Sequence, residues 1–435
     1  MIKSTRVLRE YFRYSSLNVL GMIGLSCYIL ADTYFVANGL GVSGLAALNL
    51  AIPVYSLMYG AGQMLGIGGA NRYSLLRGRG QDANTAFSYT LAMAAVCAVI
   101  FELLGFLSGN ITAWLGADED TFEMCRTYIR TLMLFSPAFL LNNLVIAFVR
   151  SDGAPQLAMA GMLSGSFSNI ALDYLFLFPL HMGMFGAVLA TCMAPLISIG
   201  VLSSHFWRGK NGFHVQKCRV SGVMCRNILT DGVPALVTEL SSGFVMILFN
   251  CILLHLGGND GVAAYGVISN LSLVVLAMFN GVAQGIQPIV GRYHGSGNFL
   301  NAEKIRQYAV TTVIALSALL YAGIFFGADP ITAAFNSEGN AIMQQLAVHG
   351  LRIYFTACPF AGLNIVLSAY LTASDRPRLA NTVSILRGFA VIIPLTFLLS
   401  AVLGVTGLWL AFPVTELTVS FAGVWMAKRN HTKKL

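Results

Sequence analysis

"LLRGRGQDANTA" (residues 75–86) returns, loosened but in step, as "VGRYHGSGNFLNA" (residues 290–302), with Gly78 matching Gly295 and Gly80 matching Gly297 at an offset of 217. A second series follows at an offset of 222, where Arg130, Pro137, Asn142 and Pro155 match Arg352, Pro359, Asn364 and Pro377. The pairs Gly62/Gly66 and Gly281/Gly285 also correspond, a G-x-x-x-G spacing that lets helices approach closely. The chain is an internal duplication, and the composition of each copy then decides the fold.

Each copy is mostly apolar. Of 435 residues, 56% are hydrophobic and 10% charged, and mean hydropathy is +0.72. A soluble domain carries about 25% charged residues. Uncharged runs recur at 83–101, 131–149, 174–207, 240–259, 261–291, 307–328, 353–374 and 388–415. One crossing needs about 20 apolar residues, so the longer runs hold two crossings folded about a turn. These runs predict an all-α membrane protein with spans near 15–39, 45–71, 84–108, 122–149, 156–179, 185–207, 227–256, 261–291, 305–327, 341–371, 379–400 and 404–427.

Twelve spans, six in each copy, start both copies on the same side and make the repeats parallel. The expected architecture is an N-lobe (1–207), a basic linker (208–226) and a C-lobe (227–435), with the lobes flanking a central cavity. On the side of the termini fall 23 of the 26 basic residues, Arg150 and Arg387 among them, whereas the far side carries acids such as Asp118, Asp260, Asp329 and Glu338. The positive-inside rule then puts both termini in the cytoplasm of a plasma-membrane protein. The net charge of +8 is thereby spent on membrane topology, and no nucleic-acid partner is expected. The basic N-terminal segment precedes an apolar run without an A-x-A site, and reads as an uncleaved first helix. Eight cysteines, Cys218 included, show no C-x-x-C pairing and read as packing residues.

Five acids are read inside the spans: Asp32, Glu102, Asp173, Glu239 and Glu416. Such groups normally face a cavity, a partner or an ion. Glu102 lies where it reaches interfacial water. Glu416, midway along span 12, is either an internal hydrogen-bonding group or a functional one. Asp32 heads 39 uncharged residues, and it and Asp173 lie at matched depth in spans 1 and 5. Tyr28 and Asn169 stand four residues before them, which stacks each pair on one helix face. Two carboxylates brought together in a low dielectric are not both charged cheaply, so one takes a proton or a cation enters between them. Glu239 is an acid of the second lobe directed at the same cavity. No Walker sequence, ordered Ser/His/Asp set or metal-ligand spacing appears, and the glycine-rich 66–80 stretch has no preceding strand. An ion gradient is left as the energy source, with no enzymatic activity and no cofactor expected.

At these residues the chain resembles the MATE (multidrug and toxic compound extrusion) family. The likeness rests on "ADTYFVANGLGVSGLAALNLAIP" (31–53), "VRSDGAPQLAMAGMLSGSFSNIALDYLF" (149–176), "GMFGAVLATCMAP" (183–195), "GVPALVTELSSGFVMILFN" (232–250) and "GIQPIVGRYHGSG" (285–297). The Glu239 segment is more similar to the MepA-like and DinF-like branches than to the NorM-like one. The resemblance implies two six-helix lobes in a V and export of amphipathic or cationic compounds against H⁺ or Na⁺. It also implies a cation site at Asp32, Asn169, Asp173 and Thr191 with Tyr28 nearby, Na⁺ being a candidate ligand of Asp32, Asn169 and Asp173. Asn142 and Asn143 resemble further polar positions beside that site. One departure stands out: some relatives are thought to bend helix 1 at a proline, and span 1 has none, only Gly21 and Gly24.

The leading expectation is a cation-coupled antiporter in the bilayer, acting as a monomer on small organic molecules. Tyr34, Tyr55, Met58, Phe139, Met246 and Phe279 are the expected tolerant contacts to substrate. The alternative is a lipid-linked precursor flippase of the same distant fold. It needs cationic side chains in the cavity to hold a pyrophosphate, and by the span placement above intramembrane basic residues are nearly absent.

Overall fold

The computed structural model describes residues 2–217, 221–336 and 339–432. Cys218 and Glu338 lie outside them, as do Arg219, Lys433 and Lys434 of the basic side. Among the described residues the regular structure is entirely helical.

Seven continuous helices are long and apolar enough to cross a membrane, and α4 (Glu119–Leu134) with α5 (Ser136–Ser151), bent by 52°, makes an eighth. Two helices are far too long for one crossing: α1 (Ile2–Gly78) has 77 residues and α9 (Gly222–Gly295) has 74. At about 1.5 Å per residue each would extend more than 100 Å, against a hydrocarbon core of ~30 Å. Both fold back at one left-handed glycine, Gly41 (φ 68°) and Gly258 (φ 59°). Gly404 (φ 58°) does the same inside α14 (Ile392–Thr432). An L side chain rarely adopts that backbone, so glycine is what permits each hairpin. The reversal at Gly41 brings the Tyr28 and Tyr55 hydroxyls to 3.0 Å. Gly41 and Gly258 are 217 residues apart, the first offset of the duplication. With these breaks and α6 (Pro155–Leu177), the chain makes twelve spans.

The helices outrun the apolar runs, because hydropathy reads only the buried middle of each. Span 1 begins at Ile2 rather than near residue 15, and α10 (Phe299–Phe335) extends past both ends of 305–327. The matched prolines act alike in both copies. Pro137 sits in the first turn of α5 after the bend, and Pro359 opens α12 (Cys358–Ala373) after α11 (Ala341–Tyr354) and a 3₁₀ turn. Pro155 and Pro377 begin α6 and α13 (Pro377–Ile385). Proline's missing N–H costs nothing in a first helical turn.

Each half has its own apolar core, one with Phe87, Leu132 and Phe148, the other with Phe279, Ile286 and Leu351. The first turns of α1 cross over. Val7, Tyr11 and Tyr14 are buried in the second core, Tyr11 donates to the Thr312 hydroxyl at 2.7 Å, and Glu10 pairs with Arg292 and accepts from Tyr293.

The halves meet backbone to backbone at the end that carries the termini. A Cβ on Gly232 would lie 1.9 Å from the Met64 carbonyl oxygen, and one on Gly68 would lie 2.1 Å from that of Ile228. Gly78 and Gly295, paired by the repeat, face each other across its axis, a Cβ on either lying 3.0 Å from the other's Cα. Around them Arg72 bridges Asp231 (2.8 Å) and Asp375 (2.9 Å), and Arg79 reaches Asp375 at 3.0 Å. These contacts hold the halves together at the terminal end; at the far end Tyr34, Val42 and Leu254 are exposed.

The segment after α7 (Gly183–Leu202) and α8 (Ser204–Trp207) is stapled to the first half. Phe213 is fully buried among the rings of Tyr73, Phe87 and Phe148. Asp152 accepts from Gly212 N (2.6 Å), the Tyr73 hydroxyl (2.8 Å) and Arg77 (2.5 Å), and meets His205 Nε2 at 2.9 Å. Burial alone would raise the Asp152 carboxyl; the Gly212, His205 and Tyr73 hydrogen bonds and the Arg77 charge outweigh it and hold it below the usual carboxylate range. A depressed carboxyl stabilises the fold above its unfolded pKa, near 4, and loses that contribution as pH falls through its folded pKa. Asp152→Ala is expected to cost about 1–3 kcal/mol at neutral pH. Thermal unfolding in detergent should show that deficit shrinking below about pH 4; a deficit independent of pH would assign it to packing instead.

Candidate functional site: a polar cavity between two lobes

Asp32 on the first arm of α1 and Asp173 on α6 bring their carboxyls into hydrogen-bonding contact. Asp173 has no exposed surface and Asp32 only 8%, and among the described residues the Oδ1 of each accepts no hydrogen bond from any group but the facing carboxyl. One turn before Asp173, Asn169 is also fully buried. With its amide oriented as its neighbours require, it donates to Asp173 Oδ2 at 3.0 Å and accepts from the Thr191 N–H at 3.3 Å. Thr191 on α7 turns its hydroxyl onto the Ala187 carbonyl at 3.2 Å. Asn169 thus acts here as a donor that steadies Asp173, with its oxygen turned to the α7 backbone. Tyr28 and Tyr55 extend the site inward, Tyr55 stacking on Tyr59 (5.6 Å) and meeting Phe139 edge-on (6.2 Å).

Three adjoining hollows share Leu25 and Tyr59 as walls. The hollow on the first-half side is lined by Tyr28, Tyr55, Phe139, Asn142, Asn143 and Thr191. Asn143 donates to the Phe139 carbonyl at 3.0 Å, while the Asn142 side-chain oxygen has no protein partner. The largest of these three hollows spans about 1390 Å³, open solvent included, with Glu239, Met246, Arg387 and Glu416 on its walls. Among the described residues Glu239 makes no hydrogen bond or ion pair.

The family model MatE matches residues 19–175 and 234–398, one stretch in each half. The chain belongs to the MatE family. It is 23% identical to the multidrug export protein MepA of Staphylococcus aureus (strain MSSA476), over 96% of this chain and 93% of the relative. A MATE protein solved in complex with MaL6 superposes with a TM-score of 0.92 at 22% identity, covering 98% of this chain and 97% of that one. The outward-facing conformation of a multidrug resistance MATE transporter superposes at 0.91 and 21% identity, covering 98% and 96%. The twelve-span, two-lobe arrangement is therefore the MATE fold, and the chain is a membrane transporter.

Several expectations about this MATE protein change. Met58 and Phe279 are fully buried in the cores of the two lobes and do not reach the cavity wall. Their apolar type suited either place, and helix rotation decides which. Tyr34 is 64% exposed beside Phe35, outside the hollows. Arg387, read as a residue of the terminal side, lies on a π-helical turn (Leu386–Ala390) within span 11 and reaches the cavity. Arg150 is likewise buried, bonded through Nη1 to Asn18 and Gln284 at 2.7 Å each. Arg387 is therefore a cation within a span, on the cavity wall. Asp231 is a further acid within span 7; it lies in the first turns of that span and pairs with Arg72. The signal for both Arg387 and Asp231 was the one that exposed Asp32, a charge within a predicted span.

Proposed function

We propose that this MATE protein exports amphipathic, mostly cationic small molecules in exchange for a cation bound at Asp32 and Asp173. The observation that carries the reading is the pair of buried carboxyls in mutual contact, in no ion pair among the described residues. Carboxyls so placed share one proton more readily than they hold two charges. H⁺ is taken as the exchanged ion because two carboxyls in contact hold it without a further ligand, whereas the Asn169 amide gives Asp173 its N–H₂ and no oxygen for Na⁺. Sodium would use the same carboxylate oxygens after that amide turned.

With the cavity open away from the termini, a proton reaches the pair and disfavours bound cationic substrate, which leaves. Opening toward the termini releases the proton and restores the carboxylates for the next substrate. The basic side supports a cytoplasmic location for the termini and export outward across the plasma membrane. Tyr28, Tyr55, Phe139 and Met246 offer adaptable apolar contact, Asn142 and Asn143 polar contact, and Glu239 a charge for a cationic group. A single chain encloses the complete cavity, which supports action as a monomer. The flippase alternative needs a cluster of free cations; Arg150 is held by Asn18 and Gln284, and Arg387 is the one cation lining the large hollow among the described residues.

The test is transport by purified protein in liposomes, with pH and Na⁺ gradients imposed separately. A pH gradient alone should drive uptake of a cationic dye. Uptake driven only by Na⁺ would replace the proton by sodium, and uptake unaffected by either gradient would overturn cation exchange.

A further inference from the structure

Span 11 contains the one π-helical turn among the described residues, Leu386–Ala390, closed by Val391 N–H on the Leu386 carbonyl at 3.0 Å. Such turns redirect a side chain that a regular helix would aim elsewhere, and they recur at functional sites. Here the redirected residue is Arg387. The turn seats Gly388 so tightly on α9 that a Cβ there would fall 2.7 Å from the Ser241 Cβ.

Arg387 Nε donates to Glu416 Oε1 at 2.5 Å. Glu416 is fully buried, and its other oxygen accepts from Asn364 Nδ2 at 2.7 Å. Asn364 is fixed in turn by the Ser420 hydroxyl on its oxygen at 3.0 Å and by the Glu416 carbonyl at 2.9 Å. Glu416 is thus satisfied on both oxygens, yet it occupies only one of the guanidinium's three nitrogens. The terminal nitrogens have no other hydrogen-bond partner among the described residues, and they belong to a side chain that lines the cavity and is 15% exposed. Neutralising Glu416 needs only a positive charge, which lysine would supply. What the guanidinium adds is a rigid planar fork of donors, matched to a carboxylate and placed where water competes weakly. Glu239 stands on the wall of the same hollow without a partner.

We propose that Arg387, oriented by Glu416, is a carboxylate-binding subsite, so that the cavity accepts zwitterionic amphiphiles: the substrate's carboxylate on Arg387 and its cationic end toward Glu239. The proposal rests on the efflux reading above and names a substrate class within it. Two dyes sharing one ring system separate the two claims. Rhodamine 123 is a cationic methyl ester, and rhodamine 110 carries the free carboxylate instead.

In proteoliposomes under an imposed cation gradient, the wild-type protein should move both dyes. In Arg387→Gln/Glu416→Gln, where an amide pair replaces the ion pair and no buried charge is left alone, the ratio of rhodamine 110 to rhodamine 123 transport should fall at least about tenfold. Arg387→Lys guards against a double variant that fails to fold. Its single ammonium satisfies Glu416 but presents no fork, so the same ratio should fall. Wild-type transport of rhodamine 123 without rhodamine 110 would overturn the subsite and leave efflux standing. Transport of neither dye would overturn efflux itself. A ratio within about twofold of wild type in a folded variant, including equal loss of both dyes, would assign Arg387 a structural role only.

Discussion

Asp32→Asn is expected to reduce gradient-driven efflux by more than about tenfold and, as a fixed mimic of the protonated pair, to weaken substrate binding in detergent and flatten its pH dependence. The substitution keeps the side chain's size and its hydrogen bond to Asp173, so the packing of α1 on α6 survives. What it removes is a group that gains and loses charge. A permanently neutral partner leaves Asp173 unable to alternate between a shared proton and a pair of anions, and an ion that does not distinguish the two conformations cannot shift them. The measurement compares energised dye uptake in proteoliposomes with equilibrium binding of the same dye. Asp173→Asn should behave alike, since both carboxyls belong to one site. Undiminished uptake in Asp32→Asn would remove the coupling role assigned to it.

The second large effect is expected at Gly232→Ala. The added methyl would fall 1.9 Å from the Met64 carbonyl oxygen, and backbone cannot swing aside as a side chain can. Closure at the terminal end would then require the lobes to separate locally and would weaken the nearby Arg72–Asp231 pair. Overpacking of this kind costs about 1–3 kcal/mol, enough to move a balanced conformational equilibrium by about 5- to 150-fold. Spin labels on spans 2 and 7 at the terminal end should report a longer distance, and efflux should fall. Gly243→Ala serves as the control, because its new methyl would meet only the Ser56 hydroxyl oxygen at 3.7 Å. Equal distances in the two variants would show that this contact does not govern closure.

The architecture was legible because membrane spans and turns obey local rules. Long uncharged runs locate the spans, and the matched glycines and prolines locate their breaks in both copies. Gly41 and Gly258 turn the chain at equivalent points because a residue without Cβ is needed there in each. The polar site was legible in part for the same reason. Asp32 and Asp173 are conspicuous against apolar neighbours, and the spacing to Tyr28 and Asn169 follows from helix geometry.

What escaped was everything that depends on helix rotation. Met58 and Tyr55 lie on one span, three residues apart, yet one is sealed in the lobe core and the other walls the cavity. The duplication hides the asymmetry of function as well. Gly41 and Gly258 preserve the fold in both copies, whereas the residues 222 positions after Asn169 and Asp173 are Val391 and Leu395. The second lobe carries Arg387, Glu416 and Asn364 instead, an arrangement that only the packed structure assembles.

Helix 1 runs unbroken from Ile2 to its reversal at Gly41, with its first turns sunk in the second lobe and Asp32 facing Asp173 in the first. A rod rooted in one body and carrying its reactive group in the other works as a lever. When the lobes rock, its rooted end travels with the second lobe, and Asp32 must slide or tilt against Asp173. The exchange of a proton between those carboxyls and the relative motion of the lobes are then one mechanical event. A proline hinge in helix 1 would absorb that displacement; its absence transmits it.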